Sequence, residues 1–171
     1  MANEVHTSIE FYRPNDDAKK VIDSLFKLDK ETHADDYGRF DLYDIVTESA
    51  HDPKWAYVED YDDYGYHVSI LSAWAPPVPA IDKIIEKVTA VQSDLITIVR
   101  YEDEMPNFVG SIVYEGEEVV NEYEMDDEEM LGMLGIEELT DDDRDRIWDL
   151  CYEQVEIFVK ETLDFIHEHA E

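Results

Sequence analysis

Cysteine, positive charge and long apolar runs are scarce in this sequence. Cys151 is the single cysteine among 171 residues, so neither an intrachain disulfide nor a four-thiolate iron–sulfur cluster can form. No run approaches the roughly 18 apolar residues of a membrane-spanning helix, and the first residues lack the basic and apolar regions of a targeting signal. We therefore expect a cytoplasmic protein with no membrane partner, and a buried, reduced thiol at Cys151.

The balance of charge is strongly acidic. The chain has 13 Lys and Arg against 45 Asp and Glu, which gives a formal net charge of -32 at pH 7. Nucleic acid and anionic membranes would repel such a surface, so neither is expected as a direct partner. The segment between Tyr101 and Asp143 contains 17 of the acidic residues and no Lys or Arg. Three explanations are open: a negative surface that binds a basic partner, generic surface acidity, and adaptation to high salt.

The hydrophobic pattern predicts an α+β fold that buries one substantial core. Hydrophobic residues make up 44% of the chain, which includes 11 Tyr, 6 Phe and 3 Trp. Alternating patterns predict strands over 4–12, 67–74, 95–101, 108–114 and 119–123. Helical spacing predicts helices over 16–28 with Asn15 as N-cap, from Pro79 to Val91, from 126 to about 135, and from Thr140 toward the C-terminus. The apolar face of the last helix is predicted to carry Ile147, Cys151, Val155, Phe158, Val159, Thr162 and Ile166. The polar, uneven pattern of residues 29–63 predicts a loop with one short element. Residues 102–104 are predicted to form an acidic loop between two strands.

The segment 67–118 resembles the phage- and plasmid-borne YubB-type ferredoxin-like domain family. The resemblance is carried by the run 72–77 (Ser-Ala-Trp-Ala-Pro-Pro) with the helix after it, by the run 100–110 that ends in Phe-Val-Gly, and by the Trp-containing run 54–60. It implies an antiparallel ferredoxin-like sheet with packed helices, and a phage or mobile-element setting without an assigned chemistry. We expect residues 1–125 to form this domain and residues 126–171 to form an acidic helical extension, with a long C-terminal helix, packed on it.

Motifs for catalysis or metal binding are not found. Asp60, Asp62, Asp63 and Gly65 partly match a calcium loop, but Leu71 occupies the twelfth position, where a bidentate Glu is needed. The histidines lack zinc-ligand spacing, and the chain has neither a Gly-rich phosphate loop nor a nucleophile elbow. We expect no metal, no cofactor and no enzymatic activity.

Trp74 has two interpretations. An aromatic side chain beside the rigid turn of Pro76 and Pro77 could form a ligand platform. The interpretation that we prefer is structural, with Trp74 buried where the strand meets the helix.

The sequence thus predicts a nucleic-acid mimic that occludes the DNA- or RNA-binding surface of a basic host protein, such as a defence nuclease. The alternative is a non-catalytic regulatory or assembly module that binds a protein through an aromatic or helical surface, with incidental acidity. The oligomeric state is left open. The predicted partner-binding residues are Asp60, Asp62, Asp63, Glu102, Asp103, Glu104, Glu115, Glu117, Glu118, Glu122, Glu124, Asp126, Asp127, Glu128 and Glu129.

Overall fold

A seven-stranded antiparallel sheet forms the centre of the protein. The computed structural model describes residues 3–28, 30–46, 52–104, 107–137, 140 and 143–170. The strands are β1 (Glu4–Tyr12), β2 (Phe40–Asp41), β3 (Ala56–Asp62), β4 (His67–Ala73), β5 (Ile96–Asp103), β6 (Phe108–Glu115) and β7 (Glu118–Asp126). The helices are α1 (Asp16–Phe26), α2 (Lys30–His33), α3 (Leu42–Ile45), α4 (Val78–Thr89), α5 (Asp127–Leu134) and α6 (Arg144–His169).

The strand order is β2-β3-β4-β1-β5-β6-β7. The connection from β1 through α1 to β3 passes over β4, and the connection from β4 through α4 to β5 passes over β1. These two crossovers interleave four strands at the centre of the sheet. The hairpin partner β7 then forms one edge of the sheet, and the two-residue β2 forms the other.

Local signals near the helix ends explain where several helices begin. The Asn15 side chain accepts hydrogen bonds from the backbone N–H groups of Asp17 and Ala18, which caps α1 as the sequence predicts. Helix α5 begins with a reciprocal capping box between Asp126 and Glu129, and ends at Gly135 in the left-handed conformation. These three helix signals depend on neighbouring residues only, so the sequence alone reveals them.

Both faces of the sheet are covered, each by its own helices. On one face, α1 and α4 bury Ile22, Ile81 and Ile84 against β1, β3 and β4. On the other face, α5 and α6 form a second apolar cluster with β5, β6 and β7. Helix α6 packs mainly on β6 and β7. The boundary predicted at residue 125 lies one residue before the end of β7.

Helix α6 confirms the predicted apolar face of a long C-terminal helix. It has 26 residues, or about 39 Å at 1.5 Å per residue. Its buried residues are Ile147, Cys151, Val155, Val159, Thr162 and Ile166. Cys151 is buried as expected, with its Sγ atom 3.4 Å from the Met130 sulfur, and burial raises the pKa of its thiol to about 11. None of the described helices has the length and hydrophobicity needed to cross a membrane.

Three local predictions are wrong. Residues 56–62, predicted as loop, form strand β3, whose register shifts between Val58 and Asp60, and this bulge interrupts the alternation that marks a strand. Val91 lies beyond the end of α4 and is exposed. Trp74 is 54% exposed and has a φ of 66°, so it does not fill a buried junction. Two backbone bonds hold the turn, from Trp74 N–H to Asn3 O and from Ala75 N–H to Ala73 O.

Candidate functional site

Most of the predicted acidic residues lie along the β6–β7 hairpin and the start of α5. We call nine of them, all exposed, the β7 array. Glu122 and Glu124 lie within the edge strand, and the other seven lie at its two ends. The nine are Glu115, Glu117, Glu118, Glu122, Glu124, Asp126, Asp127, Glu128 and Glu129.

The two ends of the β7 array are far apart. Glu115 and Glu118 face each other across the tight turn at one end of the hairpin, whereas Asp126 pairs with Phe108 at the other end. At about 3.4 Å per residue, the eight steps from Glu118 to Asp126 span roughly 27 Å. The charges therefore form an extended line along this edge of the sheet rather than one compact cluster.

The charges of this line are not neutralised locally. Within the described parts of the chain, no Lys, Arg or His lies within ion-pair distance of any member of the array. The carboxylates at the start of α5 lie at the positive end of the helix dipole, which is favourable for them. Glu124 accepts a hydrogen bond of 2.9 Å from the Tyr101 hydroxyl. Burial, and then this bond, raise the pKa of Tyr101.

Glu102 and Asp103 do not belong to an exposed loop. Both lie in strand β5, and the Asp103 side chain is only 2% exposed. The side-chain amide of Asn107 donates to the Asp103 carboxylate at 2.8 Å, so this acid organises the start of β6. Glu104 is exposed beyond the strand, at the same end of the sheet as Asp126. Of the three residues predicted as a loop, Glu104 alone joins the exposed acidic surface.

Asp60, Asp62 and Asp63 lie near the opposite edge of the sheet from the β7 array. Five strand spacings separate β3 from β7, or roughly 24 Å at about 4.8 Å each. The Asp62 carboxylate accepts hydrogen bonds from the backbone N–H groups of Tyr64 and Gly65, which shapes the β3–β4 turn. Asp63 forms a 2.7 Å ion pair with Lys27. Asp62 and Asp63 therefore serve the turn and one ion pair, and all three acids lie away from the array.

A groove that the sequence analysis missed lies between the first half of α6 and strands β1, β3, β4, β5 and β6. Its volume is about 210 Å³. On its floor, Ser8 lies opposite both Ser69 and Arg100, and His6 lies opposite Glu102. The groove is lined by several charged, hydroxyl-bearing or aromatic side chains, namely His6, Ser8, Glu59, Ser69, Arg100, Glu102, Tyr152 and Glu156.

Arg100 links the floor of this groove to α6. Its Nη1 donates to Glu10 at 2.9 Å, and its Nε donates to Glu156 at 2.8 Å. Glu102 is half-buried beside it, and burial raises the pKa of the Glu102 carboxyl. Five strands and one helix contribute to this site, so no short sequence motif could have revealed it.

Charge is distributed unevenly between the two parts of the chain. Residues 101–171 contain 25 acidic and 3 basic residues, a formal charge of -22, whereas residues 1–100 contain 20 acidic and 10 basic residues, a formal charge of -10. The first part also holds most of the observed ion pairs, such as Lys19 with Asp16 and Lys83 with Glu86. The negative field is therefore strongest around β7, α5 and α6.

Comparisons with protein-family models, with curated proteins and with solved structures give no match to this chain. In the part of the chain that the structure describes, no group of three His, Cys, Asp or Glu side chains is arranged to hold a metal ion.

Proposed function

We propose that the protein is a non-catalytic nucleic-acid mimic that occupies the DNA- or RNA-binding surface of a basic host protein. The observation that carries this proposal is the β7 array. It presents nine exposed, unneutralised carboxylates, four along the roughly 27 Å of strand β7 and five just beyond its two ends. One strand of duplex DNA carries one phosphate per 3.4 Å of axis, or about eight phosphates over the length of β7. The array is therefore comparable in number of charges to a short nucleic-acid strand, with its charge concentrated at the two ends.

The acidity has a physical cost, which supports a functional reason for it. Glu115 and Glu118 are direct cross-strand partners, and two like charges in this arrangement destabilise a hairpin. Charged residues on an edge strand do protect it against aggregation, and this accounts for some of them. The array, however, continues past the strand into the turn, where no edge needs protection, and into the start of α5, where the helix dipole favours it.

The proposal extends to the fold family and the setting. The interleaved core of β1, α1, β3, β4, α4 and β5, with strand order β3-β4-β1-β5, supports a ferredoxin-like arrangement. In this proposal β2, the β6–β7 hairpin, α5 and α6 are additions to that core. The resemblance of residues 67–118 supports a phage or mobile-element protein that acts in the host cytoplasm.

The test is competition with nucleic acid. The protein is immobilised and exposed to a bacterial lysate with and without duplex DNA as competitor, at low and at high salt. We expect the captured proteins to be basic nucleic-acid-binding proteins that are displaced by DNA and released steeply by salt. Captured proteins that stay bound both in the presence of competitor DNA and at high salt would refute mimicry.

Two variants with equal charge change separate the array from total charge. The first replaces Glu115, Glu118, Glu122 and Glu128 by Gln, which avoids the capping box and the Tyr101 hydrogen bond. The second, a control, replaces the exposed residues Asp16, Asp36, Asp44 and Asp60 by Asn. Capture should fall strongly for the first variant and little for the second. Equal losses would show that only net charge matters, which would contradict a role for this surface.

One observation favours the alternative of a protein-binding module. Trp74 is half-exposed in a left-handed conformation that bulky residues seldom adopt, and such strain often occurs at functional sites. In that case a Trp74→Ala variant should lose a partner that both salt and DNA fail to displace.

A further inference from the structure

The groove beside α6 contains polar groups that the protein itself leaves unsatisfied. Among the described residues, none donates a hydrogen bond to the Glu102 carboxylate, although this side chain is half-buried. The hydroxyl groups of Ser8 and Ser69, on the floor of the same groove, also lack a hydrogen-bond partner in the described chain. A partly desolvated carboxylate without a partner destabilises the protein, and a bound ligand could supply the missing interaction.

The charges of the groove select a cation. Arg100 and His6 are the basic side chains that line the groove. Glu10 and Glu156 already pair with Arg100, and His6 lies opposite Glu102, whose charged form it favours. Glu59 and Glu102 are the carboxylates that line the groove without an ion pair in the described chain. The carboxylates of the groove, Glu59, Glu102 and Glu156, outnumber its basic side chains, so its charge favours a cation.

The shape and the lining favour an organic cation over a metal ion. The described carboxylates do not form a metal-binding group, and about 210 Å³ is far more than one ion needs. Tyr152 of α6 also lines the groove and is 63% exposed, so its ring can stack on a flat cation. A guanidinium stacks on aromatic rings and binds carboxylates in a bidentate manner, which the point charge of an ammonium cannot do.

We propose that this groove binds an arginine side chain, with the guanidinium against the Glu102 carboxylate and the Tyr152 ring. The inference rests on the proposed function in one respect, because it takes the arginine to belong to the basic partner. The β7 array then provides long-range attraction, and the groove provides a specific anchor.

The probe is N-acetyl-arginine-methylamide, titrated into the isotope-labelled full-length protein and followed by NMR. We expect saturable shifts of the amide signals of His6, Ser8, Ser69 and Tyr152, with little change at Glu117 or Glu128. The corresponding citrulline derivative has a similar shape without the charge and should cause no saturable shift. The lysine derivative should bind several-fold more weakly, and equal binding would contradict the guanidinium assignment.

Two variants test the contacts. Glu102→Gln keeps the shape of the side chain and should weaken binding of the probe roughly tenfold, as expected for loss of one charge-assisted hydrogen bond. Tyr152→Ala should weaken it about threefold to tenfold through loss of the ring. Glu104→Gln is the matched control, because it removes the same charge two residues away, outside the groove. Each variant is checked for folding by the dispersion of its NMR spectrum. A Glu104→Gln effect as large as that of Glu102→Gln would overturn the proposal.

The results distinguish this proposal from the proposed function. Absence of a saturable shift in the groove would refute the arginine site, even if DNA displaces a captured partner. Saturable binding in the groove would support the site, even if no captured partner competes with DNA. In that second case mimicry fails, and the groove is a cation site in its own right.

Discussion

Replacing Gly110, in the β6–β7 hairpin, should strongly lower the stability of the protein. It lies opposite Tyr101 on one side and Glu124 on the other, so the Tyr101 ring must pass over it to reach Glu124. A Cβ atom at Gly110 would lie 2.5 Å from the Tyr101 Cζ and hydroxyl oxygen, and 2.6 Å from the backbone oxygen of Tyr123. Contacts that close force either the ring or strand β7 to move.

The size of the effect follows from two contributions. Overpacking of this kind costs about 1–3 kcal/mol. Displacing the ring also removes the bond from the Tyr101 hydroxyl to the Glu124 carboxylate, which contributes about 1.5 kcal/mol at the lower end of its range because the pair is only part-buried. We expect Gly110→Ala to lower the free energy of unfolding by about 2.5–4.5 kcal/mol, a large part of the roughly 5–15 kcal/mol typical of a domain.

Urea denaturation followed by circular dichroism measures this change. The matched control is Gly132→Ala in α5, where an added Cβ meets no atom within 4 Å. There the same substitution should stabilise the protein by about 0.5–1 kcal/mol, because alanine favours a helix. Tyr101→Phe should lose only the hydroxyl bond, about 1.5 kcal/mol. A Gly110→Ala variant within about 1 kcal/mol of the wild type would refute the overpacking argument.

Three further predictions concern single side chains. Because burial raises the pKa of Glu102, its ionised form destabilises the fold, so Glu102→Gln should be more stable than the wild type at pH 7. The gain should disappear as the pH falls below about 4.3, the ordinary pKa of a glutamate side chain, and a pH-independent gain would contradict this cause. Burial and the bond to Asp23 raise the pKa of Tyr61, so its contribution should be complete below pH 10 and lost as the pH rises further. Chemical denaturation at a series of pH values above 10 should therefore show that the free energy of unfolding of Tyr61→Phe falls less steeply with pH than that of the wild type. An equal slope for the two proteins would contradict the role of Tyr61. Trp74→Gly should change the free energy of unfolding by less than about 1 kcal/mol, because glycine relieves the left-handed backbone, whereas a loss above about 3 kcal/mol would restore the buried interpretation.

The two parts of the proposed interaction surface differ in what they require of the fold. The β7 array needs only an exposed strand with charged flanks, and its carboxylates act through a field that salt screens. The groove needs five strands and α6 to pack together correctly, because residues such as Glu102 and Tyr152 lie 50 positions apart in the sequence. Mutations that loosen α6 should therefore affect arginine binding in the groove while leaving salt-dependent attraction intact.

Short-range signals were readable from the sequence. The limits of β1, the cap of α1 at Asn15, the short helix that follows the acidic run at 126 and ends at Gly135, and the buried face of α6 are all confirmed. Each depends on residues within a few positions of one another, or on a regular period along one element. The acidity of the segment around β7 was also visible, since it is a matter of composition.

Other features depended on contacts between distant residues. The bulge at Val58 concealed β3, and pairing with β1 and β6 extended β5 through Glu102 and Asp103. Sheet order placed Asp62 far from the β7 array, although all of these residues looked equivalent as acidic positions in the sequence. Neither the exposure of Trp74 nor the groove beside α6 has a local signature, because burial is decided by which elements pack together. Composition thus determined the charge of the protein, whereas tertiary packing decided which carboxylates line up, which are buried and which surround a cavity.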